Sequence, residues 1–160
     1  AASQPPCAIH VPRMRALGLD VGSKTIGIAV ADPSGTIASA RTILARKGHS
    51  ADVAAVLELV RSEAVGTIVV GLPLELDGQV GHRARLVQRS VAVLEAALKL
   101  LPASVTLYTW DERFSTAAAE RTLLEADVSR ARRKLSIDAL AAQFILQGWL
   151  DAQRRRAEVR

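Results

Sequence analysis

Between Leu44 and Val53 the hydrophobic period of this chain changes from two to 3.6, and that switch limits the folds open to it. Before the switch, Arg15–Val21 and Thr25–Ala31 read as two strands around a Gly22-Ser23 turn. Asp32-Pro33-Ser34-Gly35 marks the next turn and Thr36–Leu44 a third strand, so the three form an antiparallel meander. After the switch, Val53, Val56, Leu57, Val60 and Ala64 fall at i, i+3, i+4, i+7 and i+11, an amphipathic helix with Ser50 as its N-cap. Thr67–Gly71 reads as a short buried strand and Leu72–Gly81 as a loop. A helix marked by Leu86, Leu94 and Leu101 stops at Pro102, and Val105–Trp110 is a fifth strand. Ser115 or Thr116 caps a helix to about Asp127, and Val128–Leu135 reads as a basic loop. Ile137, Leu140, Ala141, Phe144, Ile145, Gly148 and Trp149 define the last helix. A meander followed by strand–helix alternation predicts an α/β fold. Its mixed five-stranded sheet joins three antiparallel strands to two parallel ones, with helices on both faces.

The 160 residues suit one domain. Residues 1–13 contain proline and no period, and read as a mobile leader. The domain is expected over 14–153, with a basic tail at 154–160. One cysteine, Cys7, excludes a disulfide framework and a cysteine-based zinc site. His10, His49 and His82 lack metal-ligand spacing. No apolar run approaches the roughly 18 residues of a membrane span, and no signal peptide is legible, so a cytoplasmic setting without membrane partners is expected.

Charge is unevenly placed. Of 21 basic residues 17 are Arg, and the whole net charge of +5 sits in residues 128–160. It forms two clusters, Arg130, Arg132, Arg133 and Lys134, then Arg154, Arg155, Arg156 and Arg160. A concentrated basic patch is the footprint of a phosphate-backbone ligand, although a solubilising tail would also account for the second cluster. Aromatics are 3% of the chain, too few for base-stacking platforms.

Three acidic positions lie where strands end or a helix begins: Asp20, the pair Asp111 and Glu112, and Asp138. An acid on a strand otherwise reading Ala16, Leu17, Leu19 and Val21 is a local conflict, the kind found at functional sites. Singly, each has a structural explanation: an Asx-turn for Asp20, a solvated corner for Asp111 and Glu112, a favourable helix dipole for Asp138. Together they suggest a shared site for a hard divalent cation, Mg²⁺ or Mn²⁺. Two such ions could hold attacking and leaving oxygens in line across a phosphodiester.

Four ordered blocks carry a family resemblance. They are Leu17 to Ala29, Gly71-Leu72-Pro73-Leu74 with Asp77-Gly78, Asp111 to Thr116, and Asp138 through Ala141-Ala142 to Ile145-Leu146-Gln147. Over about Met14 to Leu150 the chain resembles the YqgF (RuvX) family of RNase H-like nucleases, for which two roles are proposed: pre-16S rRNA processing and Holliday junction resolution. The resemblance implies an RNase H-like fold, metal-binding catalytic acids at Asp20, Glu112 and Asp138, and a homodimer as one option. Because the fourth strand ends in Gly71 and not in an acid, the second catalytic acid is implied to come from Glu112, or from its neighbour Asp111. Thr25 stands where the family often has Arg, which removes a phosphate contact. Phe114 and Ser115 replace the usual Leu and Thr.

Lys24 and Arg113 are candidates for phosphate contact along with Arg130, Arg132, Arg133 and Lys134. A solvated turn lysine and an Arg113–Asp111 pair are the plainer alternatives. The expected function is metal-dependent hydrolysis of phosphodiesters in structured nucleic acid, first pre-16S rRNA and alternatively four-way DNA junctions. Two other classes stand against it. The first block also resembles the phosphate-binding opening of actin-like ATPases and sugar kinases, but their two related domains do not fit into one chain without an internal repeat. A non-catalytic nucleic-acid binder would have little use for carboxylates near phosphates.

Overall fold

The computed structural model describes residues 15–114 and 130–159. Five strands form one sheet: β1 (Arg15–Val21), β2 (Thr25–Ala31), β3 (Ala38–Ala45), β4 (Val65–Leu72) and β5 (Thr106–Asp111). Their order is β3-β2-β1-β4-β5. β1 pairs antiparallel with β2, and β2 with β3, while β1–β4 and β4–β5 are parallel. The expected mixed sheet is therefore present. Helices α1 (His49–Ser62) and α2 (His82–Leu98) pack on one face and α3 (Arg130–Glu158) on the other.

Strand alternation sorts the two faces. On β1, Leu17 and Leu19 join Ile26, Ile28, Ile68 and Val70 under α1 and α2. The intervening Ala16, with Ala29, Ala31 and Val69, meets Ala142, Ile145, Leu146 and Leu150 of α3. The first face is built from branched residues, each contributing about 1.5–3 kcal/mol when fully buried. The second is built from small ones, so α3 lies close to the sheet. A Cβ on Gly18 would stand 2.7 Å from the Leu146 Cβ, and one on Gly27 only 2.0 Å from the Asp138 carbonyl oxygen.

α3 also covers part of the β3 edge. The Gln147 Oε1 accepts from the Ala38 amide at 2.9 Å, and the Gln143 Oε1 from the Ala40 amide at 3.2 Å. One helical turn thus matches two strand residues, and the amides of an edge strand gain acceptors.

Three local expectations change. Ser50 does not cap α1: the helix starts at His49 after Gly48, whose φ of 105° turns the chain into it, with no side-chain cap. The cluster Arg130–Lys134 is not in a loop, because α3 begins at Arg130. Arginine, alanine, lysine and leucine are good helix formers, and no glycine or proline interrupts them. Nor does Arg154–Arg156 trail the helix, which continues through Glu158. The expected leader and the expected helix from residue 115 or 116 to about 127 lie outside the described residues.

Candidate active site

The three acids reach one face of the sheet by separate routes. Asp20 is directly opposite Gly27 in the β1–β2 register, and opposed residues project to the same side. That side carries α3, because the space beside Gly27 is filled by the backbone of Asp138. Asp20 is half-buried there, two residues beyond Gly18 and on the same side of β1.

Alternation along β5 separates the two neighbouring acids. Trp110 packs among the α3-side residues. Asp111 therefore points away and Glu112 returns to the α3 side. The Glu112 Oε1 lies 2.7 Å from where a Cβ on Gly71 would stand, beside the Ile145 side chain. Gly71 thus leaves the space that a carboxylate occupies. Asp111 is held by Arg113 instead: the backbone amide donates at 3.0 Å, Nε at 3.0 and 3.1 Å, and Nη2 at 2.6 Å. The guanidinium hydrogen bond holds the Asp111 carboxyl below its ordinary value. Arg113 also donates to the Leu76 carbonyl at 3.4 Å, tying the end of β5 to the β4–α2 loop.

Asp138 lies on the third turn of α3, not on its first turn, because the helix starts eight residues earlier. Its Oδ2 accepts from the Thr25 Oγ1 at 2.5 Å. In the sequence Thr25 stands out only as the loss of an arginine. Strand parity is the signal that could have found this contact, since Thr25 and Gly27 project to the same side of β2.

Lys24 is exposed in the β1–β2 turn. Arg46 braces that turn: its amide donates to the Lys24 carbonyl at 2.9 Å and its Nη1 to the Gly22 carbonyl at 3.0 Å. Arg46 is held in turn by Asp52 at 3.2 Å and the Ser90 hydroxyl at 3.3 Å. Asp52 is a buried acid, and its other oxygen accepts from the Lys47 amide at 2.9 Å. Lys134 is one helical turn before Asp138, with Arg130, Arg132 and Arg133 on the two turns that open α3.

Among the described residues no three His, Cys, Asp or Glu side chains form a group that could hold a metal ion as they stand. What Asp20, Glu112 and Asp138 share is a face of the sheet and a hard-oxygen donor chemistry of the kind that Mg²⁺ and Mn²⁺ take.

Residues 14–152 match the family described as "RuvX: Holliday junction resolvase". The chain belongs to the RuvX family. A relative from Myxococcus xanthus is 51% identical over 141 residues, covering 88% of this chain and 90% of the relative. One from Thermoanaerobacter pseudethanolicus is 44% identical, covering 89% and 100%. One from Moorella thermoacetica is 47% identical, covering 86% and 95%. All three carry the name "Putative pre-16S rRNA nuclease". Among solved structures, Thermus thermophilus RuvC bound to a Holliday junction superposes with a TM-score of 0.59 at 17% identity. It covers 88% of this chain and 96% of RuvC. At that identity the likeness concerns the fold, which is RNase H-like, as expected for the RuvX family.

Proposed function

We propose that this RuvX-family chain is a metal-dependent nuclease that hydrolyses phosphodiester bonds in structured RNA, processing pre-16S rRNA in the cytoplasm during ribosome biogenesis. The observation that carries the reading is the arrival of Asp20, Glu112 and Asp138 on the α3 face from three distant points of the chain. The names of close relatives support the RNA substrate. Mg²⁺ or Mn²⁺, as two ions, would supply Lewis-acid activation and charge neutralisation at the phosphate. Asp20, Glu112 and Asp138 would hold them.

The remaining roles belong to the cations of the chain. Lys24 offers an ammonium from a braced turn beside β1. Arg130, Arg132, Arg133 and Lys134 open α3 just before Asp138, and flank the strand to be cut. Arg113 is shared with Asp111, and with 34% of its side chain exposed it can still meet a phosphate from solvent. Recognition would rest on shape and backbone charge.

Resolution of four-way DNA junctions is the second reading, favoured by the RuvC-like fold. Separating a junction into two duplexes takes two cuts and hence two sites, so it calls for a homodimer, whereas RNA trimming does not. The test compares cleavage of a pre-16S rRNA fragment and a four-way junction by purified protein with Mg²⁺, Mn²⁺ or chelator, with the mass in solution measured in parallel. Cleavage of the RNA by a monomer supports the first reading. Paired nicks in the junction by a dimer, with intact RNA, support the second. No metal-dependent cleavage of either overturns both.

A further inference from the structure

We propose that Thr25 is a positioning residue whose hydroxyl orients the Asp138 carboxylate for metal binding. The inference rests on the nuclease reading above. The Thr25 Oγ1 stands 2.5 Å from the Asp138 Oδ2, within the range for a hydroxyl donating to an ionised carboxylate. The two residues are 113 positions apart in sequence, so the contact is made only by the finished fold.

Thr25 is suited to this by its own fixation. Its carbonyl accepts from the Gly22 amide at 2.8 Å, closing the β1–β2 turn. The Gly22 carbonyl is in turn held by Arg46 at 3.0 Å. A β-branched side chain at the start of a strand has few χ1 choices, so the hydroxyl arrives already aimed. Two positions on, Gly27 admits the backbone of Asp138 where any side chain would clash. Alternate residues of β2 thus hold both the backbone and the side chain of one acid.

The chemical consequence is a division of labour between two oxygens. With Oδ2 taken by Thr25, Oδ1 carries no hydrogen bond among the described residues. Asp138 would therefore present one oxygen, in one direction. Hydrogen-bonding partners of metal ligands affect metal affinity or activity by about 10–100-fold.

The test uses full-length wild type, Thr25→Val, Thr25→Ser and Asp138→Asn. Binding of Mn²⁺ alone is titrated by electron paramagnetic resonance, cleavage is measured at saturating Mn²⁺, and folding is followed by circular dichroism. Thr25→Val is expected to weaken Mn²⁺ binding about 10–100-fold, with Thr25→Ser within a few-fold of wild type. In an Asp138→Asn background, Thr25→Val should add no further loss. Should Thr25→Val fail to fold, Thr25→Ala carries the same test. A folded valine or alanine variant that binds Mn²⁺ and cleaves like wild type overturns the positioning role alone. Equal losses in the serine and valine variants also overturn it, because they would trace to packing and not to the hydroxyl. A wild type that neither binds Mn²⁺ nor cleaves overturns the nuclease reading itself.

Discussion

At the scale of single residues, charge and hydrogen bonding separate the acids of this chain into different trades. Asp32 shapes a turn. It accepts from the Thr36 and Ile37 amides at 2.8 and 2.9 Å and from the Ser34 hydroxyl, which lowers its pKa to about 2, chiefly through the Ile37 amide. A carboxylate depressed on folding adds stability above its unfolded value of about 3.9, and the contribution is lost as pH falls through about 2. Asp32→Ala should therefore melt at a lower temperature than wild type at neutral pH, with the gap closing between pH 4 and 2. Thermal melts of both proteins across that range measure it, and a gap independent of pH would contradict the assignment. Asp20 sits at the proposed centre. Asp20→Asn keeps the size and removes a metal ligand and one negative charge. Cleavage is expected to be lost while RNA binding is kept or strengthened, as read by gel shift alongside turnover. Wild-type turnover in this variant would remove Asp20 from the site. The candidates Asp20, Glu112 and Asp138 were legible because acids stand out on apolar elements. Which of Asp111 and Glu112 faces α3 was not, since it depends on which way β5 faces, and that is fixed by Trp110 packing on α3.

At the scale of elements, glycine sets the spacing between sheet and helix. Gly27→Ala would put a methyl group 2.0 Å from the Asp138 carbonyl oxygen, so α3 must shift. Overpacking of this kind costs about 1–3 kcal/mol. For a domain of this size that corresponds to a melting point lower by about 2–4 °C per kcal/mol. Cleavage should fall further than stability explains, because the displaced residue is itself Asp138. Calorimetry and turnover on the same preparation test this, and unchanged values for both would show that α3 is not held by this contact. The sheet was readable from periodicity and turn residues together, for β1 and β2 to the residue. The start of α3 was not. An apolar stripe records where a helix meets the sheet, and the stripe begins at Ile137 while the helix begins at Arg130. Hydrophobic period reports burial, and helicity extends beyond it wherever the residues are good helix formers.

At the scale of the whole molecule, most of the excess positive charge is carried on the two ends of one helix. α3 spans 29 residues, about 43 Å at 1.5 Å per residue, with Arg130 to Lys134 at one end and Arg154 to Arg156 at the other. Asp138 is near the first end. Arg132→Ala with Arg133→Ala is expected to weaken RNA and DNA binding alike. The slope of log K against log salt should flatten by roughly 0.7–0.9 for each phosphate that the protein no longer neutralises. A chain ending at Gln153 should bind with nearly the wild-type slope. Salt titrations of the three proteins decide the matter, and the opposite ranking would move the phosphate-binding surface to the far end of α3. No helix among the described residues is long and apolar enough to cross a membrane.

The order of the elements along the chain also has a meaning in time. α3 follows all five strands, and it brings both the third carboxylate and the cover for the small-residue face of the sheet. Synthesis runs from the N-terminus, so the strands carrying Asp20 and Thr25 leave the ribosome while Asp138 is still to be made. For a protein proposed to cut ribosomal RNA, the proposed centre would thus be completed only after translation has passed α3.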